Sequence, residues 1–283
     1  MSKRSDVESF DIRDGRAMVS LGPISDSKHC IYECPFCYVQ SDYESFAKMP
    51  VQKITKWLKN QQQNSPFDVV YVSGDTDSFA LPRQNEAMDL LADINDELDV
   101  DILFTTRAII NDENLKKLEL IINKANQRRR KILGCVSIAQ YSIPHLEPYP
   151  IPSPDSRIEQ LRRFKNIGAT AILAIRPFLP NVPISDYETI LDKSADAADI
   201  VLGEYWYADP LGVLEEKVFQ GEIPDNLSYK ITEMPFDSND AKWKLIESPQ
   251  TEEFIKNKCN SLNLPFFMRS RPAIDYIRQQ KNL

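Results

Sequence analysis

Short apolar runs alternate along the whole chain with stretches in which apolar residues recur every three or four positions. The short runs predict strands over 17–21, 68–73, 101–105, 132–138, 170–176 and 200–205, with a late one over 264–268. The periodic stretches predict helices over 51–62, 85–98, 114–127, 155–167 and 186–198. In the helix over 155–167, Ile158, Leu161 and Phe164 share one face; Asp155 or Ser156 is placed to cap its start and Gly168 to end it. Six β/α steps and an addition predict an α/β fold, a parallel sheet with crossover helices. Pro210, Pro224 and Pro235 interrupt the pattern over 209–244, which reads as an irregular excursion covering the mouth of a barrel. No repeat, low-complexity tract or long linker is visible.

The chain has 283 residues, 42% hydrophobic and 27% charged, enough for a sizeable core built as one barrel or as two small domains. No apolar run approaches the ~20 residues of a membrane span, and no signal-peptide core follows Met1-Ser2-Lys3-Arg4. A cytoplasmic protein with no membrane partner is expected. The net charge of -8 weighs against a protein that grips duplex phosphates. One dense basic run, Arg128-Arg129-Arg130-Lys131, has two readings: cations opposing a helix dipole, or a docking patch for an acidic electron carrier. Five cysteines is an odd number, and three fall within eight residues, a layout for metal-binding thiols rather than a disulfide framework.

Those three lie in His29-Cys30-Ile31-Tyr32-Glu33-Cys34-Pro35-Phe36-Cys37-Tyr38. Such spacing can bring three thiolates to three corners of a cubane [4Fe-4S] cluster and leave the fourth iron open. A structural zinc site wants four ligands, and His29 adjoins Cys30 too closely to serve, so it reads as a loop or cluster-side residue. An electron-transfer cluster wants a fourth cysteine, and neither Cys135 nor Cys259 sits in a comparable loop. The string Cys-x3-Cys-Pro-Phe-Cys-Tyr resembles the signature of the radical SAM superfamily. That resemblance implies a loop after the first strand of a partial (β/α)6 TIM-type barrel with parallel strands and a C-terminal extension. The division expected is a single domain over 1–283, with a core of about 15–208 and an extension of about 209–283. It also implies S-adenosyl-L-methionine chelated by the open iron, with Tyr38 among the cofactor-binding positions. Reductive cleavage of the sulfonium then yields a 5′-deoxyadenosyl radical that abstracts hydrogen from substrate.

After the second expected strand comes Ser73-Gly74-Asp75-Thr76-Asp77-Ser78-Phe79. Thr76-Asp77-Ser78-Phe79 is similar to the Thr-Asp-Pro-Tyr turn of the spore photoproduct lyase-like branch, which makes Ser73, Asp75, Thr76 and Asp77 candidates for holding the cofactor's ammonium. The plainer reading is a turn or helix cap. A second resemblance to that branch runs through Val136-Ser137-Ile138, Leu146-Glu147-Pro148, Pro154, Arg157, Leu161, Gly168 and Arg176-Pro177. It implies Ser137 beside the cofactor's ribose or carboxylate, and Arg157 clamping the carboxylate with its guanidinium fork. Glu147 then binds the ribose or holds Arg157. The alternative for Arg157 is a first-turn surface residue, which the helix dipole disfavours.

Thr105, Thr106 and Arg107 end one expected strand, and Glu204, Tyr205 and Trp206 another, positions from which a barrel lines its cavity. Cys135 shares a strand face with Ser137, and is either a hydrogen-atom donor to a product radical or an inert buried thiol. Cys259 reads as core packing and His145 as a loop residue. The expected reaction is hydrogen abstraction from a small or nucleotide-like substrate, with a flavodoxin- or ferredoxin-type electron donor. The alternatives are a noncatalytic electron-transfer or redox-sensing protein, radical modification of a peptide or partner protein, and DNA lesion repair, which the acidic composition disfavours.

Overall fold

Residues 10–22, 30–41, 49–224, 227–233 and 242–280 are described by a computed structural model of the chain. His29 lies outside them. Two compact units emerge: residues 10–22, 30–31, 49–136 and 150–172 form the first, and 32–41, 137–149 and the described residues from 173 on form the second.

The first unit opens with a hairpin that the sequence reading does not contain. Strand β1 (Asp11–Arg13) turns through Asp14 and Gly15, φ 49° and 69°, into antiparallel β2 (Arg16–Val19). A two-residue turn with both central residues left-handed matches strand twist, and Asp-Gly is a favoured pair for it. From β2 the strands β3 (Val69–Val72), β4 (Asp101–Thr106) and β5 (Ile132–Ser137) follow in parallel register. Every residue of β3 and β5 is buried, as befits parallel strands covered on both faces.

Helices α1 (Val51–Asn64), α2 (Gln84–Glu97), α3 (Asp112–Gln127) and α4 (Pro154–Asn166) belong to this unit. In α1 the inward residues are Val51, Ile54, Thr55 and Leu58, the spacing of one helix face. The start of α4 differs from expectation. Ser153 is the cap, its Oγ accepting the Ser156 N–H at 3.2 Å, because Pro154 lacks an N–H and occupies the first helical position. Gly168 ends the helix at φ 86°. Phe164 meets Phe104 edge-on at 5.3 Å, and a Cβ on Gly134 would lie 2.7 Å from Phe164 Cδ2, so β5 needs glycine there.

The basic run at the end of α3 has partners within its own unit. Arg128 donates to the carbonyls of Asn95 and Leu98, and Arg130 pairs with Asp99. Arg128 and Arg130 thereby tie the end of α3 to the end of α2 and the loop after it.

In the second unit the strand order is β6 (Thr170–Phe178, from Leu173 on), β7 (Ile200–Ala208), β9 (Lys242–Ile246), β8 (Lys230–Glu233). Strand β7 divides one edge between two partners. Val201 and Leu202 pair in parallel with β10 (Phe266–Phe267), while Trp206, Tyr207 and Ala208 pair antiparallel with Ile246, Leu245 and Lys244. Helices α5 (Ile184–Ser194), α6 (Val213–Phe219), α7 (Pro249–Ser261) and α8 (Ser270–Gln279) complete it.

Both β6 and β7 outrun their expected ends, and the excursion over 209–244 holds regular structure: α6, β8 and the start of β9. The Asp209 carboxylate accepts the N–H groups of Leu211, Val213 and Leu214, which starts α6 two residues after Leu211 despite Pro210. Cys259 is fully buried on α7, and burial pushes its thiol up to about 12, in keeping with core packing. Among the described residues no helix is long and apolar enough to cross a membrane.

Candidate functional site

In the first unit, β3 runs directly into the polar turn at Ser73. The residue takes φ 67°, a left-handed conformation that costs a non-glycine residue about 1–3 kcal/mol unless its surroundings hold it. They do: Ser73 N–H reaches the Val19 carbonyl at 3.1 Å, and its Oγ accepts the Ser78 N–H at 3.1 Å. Asp77 is buried at the centre. Its Oδ1 accepts Phe79 N–H at 3.0 Å, its Oδ2 accepts Arg107 N–H at 2.6 Å, and Thr106 Oγ1 lies 2.9 and 3.0 Å from the two oxygens.

Burial pushes the Asp77 carboxyl above its ordinary pKa, and the bonds from Arg107, Thr106 and Phe79 only partly oppose this. Asp77 therefore pins the turn after β3 to the end of β4. Thr106 and Arg107 are partners of this turn, and Thr105 Oγ1 lies 3.0 Å from the Tyr71 hydroxyl. Asp75 is half-buried and accepts the Thr76 N–H at 2.8 Å, while Thr76 is buried.

Two residues that the sequence reading passed over complete this end of the unit. Arg83, 3% exposed, donates to the carbonyls of Leu21 and Gly22 at 3.0 and 2.9 Å and to Glu86 at 3.0 Å. It thereby holds the chain just after β2. Gln84 donates to the carbonyls of Phe79 and Ile109 and accepts from Asn111 N–H and Asn114 Nδ2, tying together the loops after β3 and β4. The signal for Arg83 was available. A cation at the start of a helix opposes the macrodipole, the reasoning that singled out Arg157. Arg157 itself, in the first turn of α4, is 0% exposed, which removes the surface-residue alternative. Cys135, on β5 opposite Thr105, is buried.

In the second unit, Cys34-Pro35-Phe36-Cys37 forms a reverse turn closed by Cys37 N–H to the Cys34 carbonyl at 3.0 Å. A turn of this kind brings the Cα atoms of its first and fourth residues within about 7 Å, with proline favoured at the second position. Cys34 N–H also reaches the Tyr32 carbonyl. Trp206, from β7, donates its indole N–H to the Phe36 carbonyl at 3.0 Å. Tyr38 meets the rings of Tyr207 and Trp243, each at 6.4 Å and near edge-on.

Ser137 is buried at the end of β5, followed by Ile138 N–H bonded to the Ala174 carbonyl. Glu147 is buried and receives Gln140 Nε2 at 3.4 Å. The Tyr205 hydroxyl bonds Glu252 on α7, and burial together with that carboxylate pushes it up to about 12. His145 Nε2 lies 3.3 Å from the Val218 carbonyl of α6.

Of the three motif cysteines, Cys34 is buried, and Cys30 and Cys37 are half-buried. Among the described residues no three His, Cys, Asp or Glu side chains are gathered to hold a metal ion. The donor chemistry nevertheless fits an iron-sulfur cluster, since thiolates are its preferred ligands and the turn sets Cys34 and Cys37 three positions apart across one hydrogen bond.

No protein-family model matches the sequence, and no curated protein does. Solved structures do. A spore photoproduct lyase variant matches with a TM-score of 0.70 at 13% identity, over 94% of this chain and 80% of that one. Another variant of that enzyme, with bound AdoMet and dinucleoside spore photoproduct, matches with a TM-score of 0.67 at 12% identity, over 94% and 81%. SuiB of Streptococcus suis, bound to precursor peptide SuiA, matches with a TM-score of 0.58 at 13% identity, over 92% of this chain and 49% of that one. Likeness at such identity is one of fold. The chain thus has the α/β fold of spore photoproduct lyase, with a mostly parallel, TIM-type arrangement of strands.

Proposed function

We propose that the chain is a radical SAM enzyme, with a [4Fe-4S] cluster on Cys30, Cys34 and Cys37 and S-adenosyl-L-methionine on the open iron. The observation that carries this reading is the reverse turn between Cys34 and Cys37 on a chain with the spore photoproduct lyase fold. When bound, the two groups together supply a 5′-deoxyadenosyl radical for hydrogen abstraction. In this reading residues 15–208 form the catalytic core, 209–283 an extension, and a flavodoxin- or ferredoxin-type protein delivers the electron.

The chain's own residues divide the remaining work. Asp75, half-buried at the turn after β3, receives the cofactor's ammonium with Thr76, while Asp77 and Ser73 hold that turn in shape. Arg157 binds the carboxylate, offering the paired N–H donors of its guanidinium fork from the first turn of α4. Ser137, Glu147 and Tyr38 contribute to the ribose and adenine surroundings. Cys135, buried on β5, gives its S–H hydrogen atom to a product radical and becomes a thiyl radical, which one electron from the flavodoxin- or ferredoxin-type donor and a proton return to the thiol.

Anaerobic reconstitution with iron, sulfide, S-adenosyl-L-methionine and dithionite tests the reaction. Wild type yields 5′-deoxyadenosine and Cys34→Ala yields none; a wild type that holds four irons per chain yet releases no 5′-deoxyadenosine ends the reading. For the substrate, the dinucleoside bound to a structural neighbour and the net charge of -8 favour a small, nucleotide-like molecule over duplex DNA. A peptide is the second reading, carried by the likeness to SuiB with its precursor peptide. Thermal shift of the reconstituted protein with dinucleotides and with a mixed peptide library separates the two.

A further inference from the structure

The peptide unit between Phe36 and Cys37 is fixed at both ends. Its N–H closes the turn onto the Cys34 carbonyl at 3.0 Å, and its C=O accepts the indole N–H of Trp206 at 3.0 Å. Trp206 is 1% exposed, so its N–H has no route to water, and a buried indole N–H takes a protein partner. One residue on, Tyr38 lies edge-on to Tyr207, the neighbour of Trp206 on β7, and to Trp243 on β9. Strand β9 in turn pairs with this stretch of β7, Ile246 opposite Trp206 and Leu245 opposite Tyr207. The hairpin of β8 and β9 thus backs the part of β7 that grips the cysteine turn.

From this geometry we propose that Trp206 is a positioning residue for the iron-sulfur site, and that the Trp243-bearing strand of the C-terminal extension is its buttress. The inference rests on the cluster reading above. A peptide plane locked at both ends fixes the direction in which Cys37 leaves the backbone relative to Cys34, so the two sulfurs are presented to the metal in one arrangement. Preorganised ligands bind a metal without first giving up conformational freedom. The extension would thereby serve the cluster itself rather than only the substrate.

The test compares reconstituted wild type, Trp206→Phe, which keeps an aromatic ring and loses the donor, and Trp243→Leu. Iron content, the electron paramagnetic resonance spectrum of the reduced cluster with and without S-adenosyl-L-methionine, and the rate of iron loss to a chelator are measured. Trp206→Phe is expected to lose iron roughly fivefold faster, the factor equivalent to one ordinary hydrogen bond, with shifted resonance positions. Trp243→Leu is expected to shift the release rate in the same direction, and it decides the matter if Trp206→Phe does not fold. A residue with only a structural role would lower the melting temperature of the cluster-free chain and leave the spectrum unchanged. Spectra and release rates equal to wild type in the folded variants overturn the proposal. A wild type that assembles no four-iron cluster overturns the functional reading instead, and that is seen before any variant is compared.

Discussion

From Ser73 to Phe79 the backbone is held largely by side chains of its own segment and of the adjoining strand, whereas from Cys34 to Tyr38 it is gripped by rings that arrive from β7 and β9. In the first turn Ser73 accepts from Ser78, Asp75 from Thr76, and Asp77 from Phe79, Thr106 and Arg107. In the second, the bond from Trp206 to Phe36 spans 170 positions of sequence. A polar turn saturated nearby keeps its shape with little help. An apolar turn fixed by distant rings depends on everything that positions those rings, and its stability is set by long-range packing.

Removing the central carboxylate attacks the polar turn most directly. Asp77→Ala leaves the N–H groups of Arg107 and Phe79 without their acceptor, and about 3 kcal/mol of stability should be lost in urea denaturation of the cluster-free chain. A loss under about 1 kcal/mol would mean that the turn is held by something else. Next in size is Arg83→Met, which strips the Leu21 and Gly22 carbonyls of a charged donor and should cost about 2 kcal/mol. Arg83→Lys should recover only part of this, since an ammonium lacks the fork that reaches both carbonyls and Glu86. Full recovery by lysine would show that charge alone matters there.

This contrast also explains what could be read from the sequence. All six expected strands and five expected helices are present, because each carries its own period of apolar residues and several carry end signals such as Gly168. The turn of the β1–β2 hairpin was legible too, in Asp14-Gly15, but β1, at three residues, is too short to show a period. Strands β8 and β9 were not, since exposed residues such as Lys230 and Lys242 give them no alternation, and they exist through pairing with each other and with β7. In the candidate site, the cysteines and the Asp75–Asp77 turn stand out by residue type and spacing. The support given by Gln84 and Trp206 does not, because a glutamine at a helix start and a tryptophan in a strand have many ordinary uses.

A pH difference offers a finer probe of the polar turn. The folded-state pKa of Asp77 is raised by burial above its unfolded value near 3.8. Between those two values the folded chain binds more protons than the unfolded one, so this group's contribution to stability falls as pH rises through the window. Subtracting the Asp77→Asn profile from that of wild type should leave a downward slope with rising pH in that interval and a flat line well above it. An upward slope would mean that the hydrogen bonds from Arg107, Thr106 and Phe79 outweigh desolvation.

The smallest effect is expected in the aromatic turn. Tyr38→Leu removes two edge-on ring contacts but keeps an apolar side chain, and contacts of this kind are worth about 0.5–1.5 kcal/mol beyond the area they bury. The global loss should therefore stay near or below about 1 kcal/mol in urea denaturation. Hydrogen exchange separates local from global change: the Cys37 amide, bonded to the Cys34 carbonyl, should lose protection, while the Ser78 amide, bonded to Ser73 Oγ, should keep its own. Equal loss at both amides would show that the two turns open together, and the distinction between a locally held turn and a remotely gripped one would then fail.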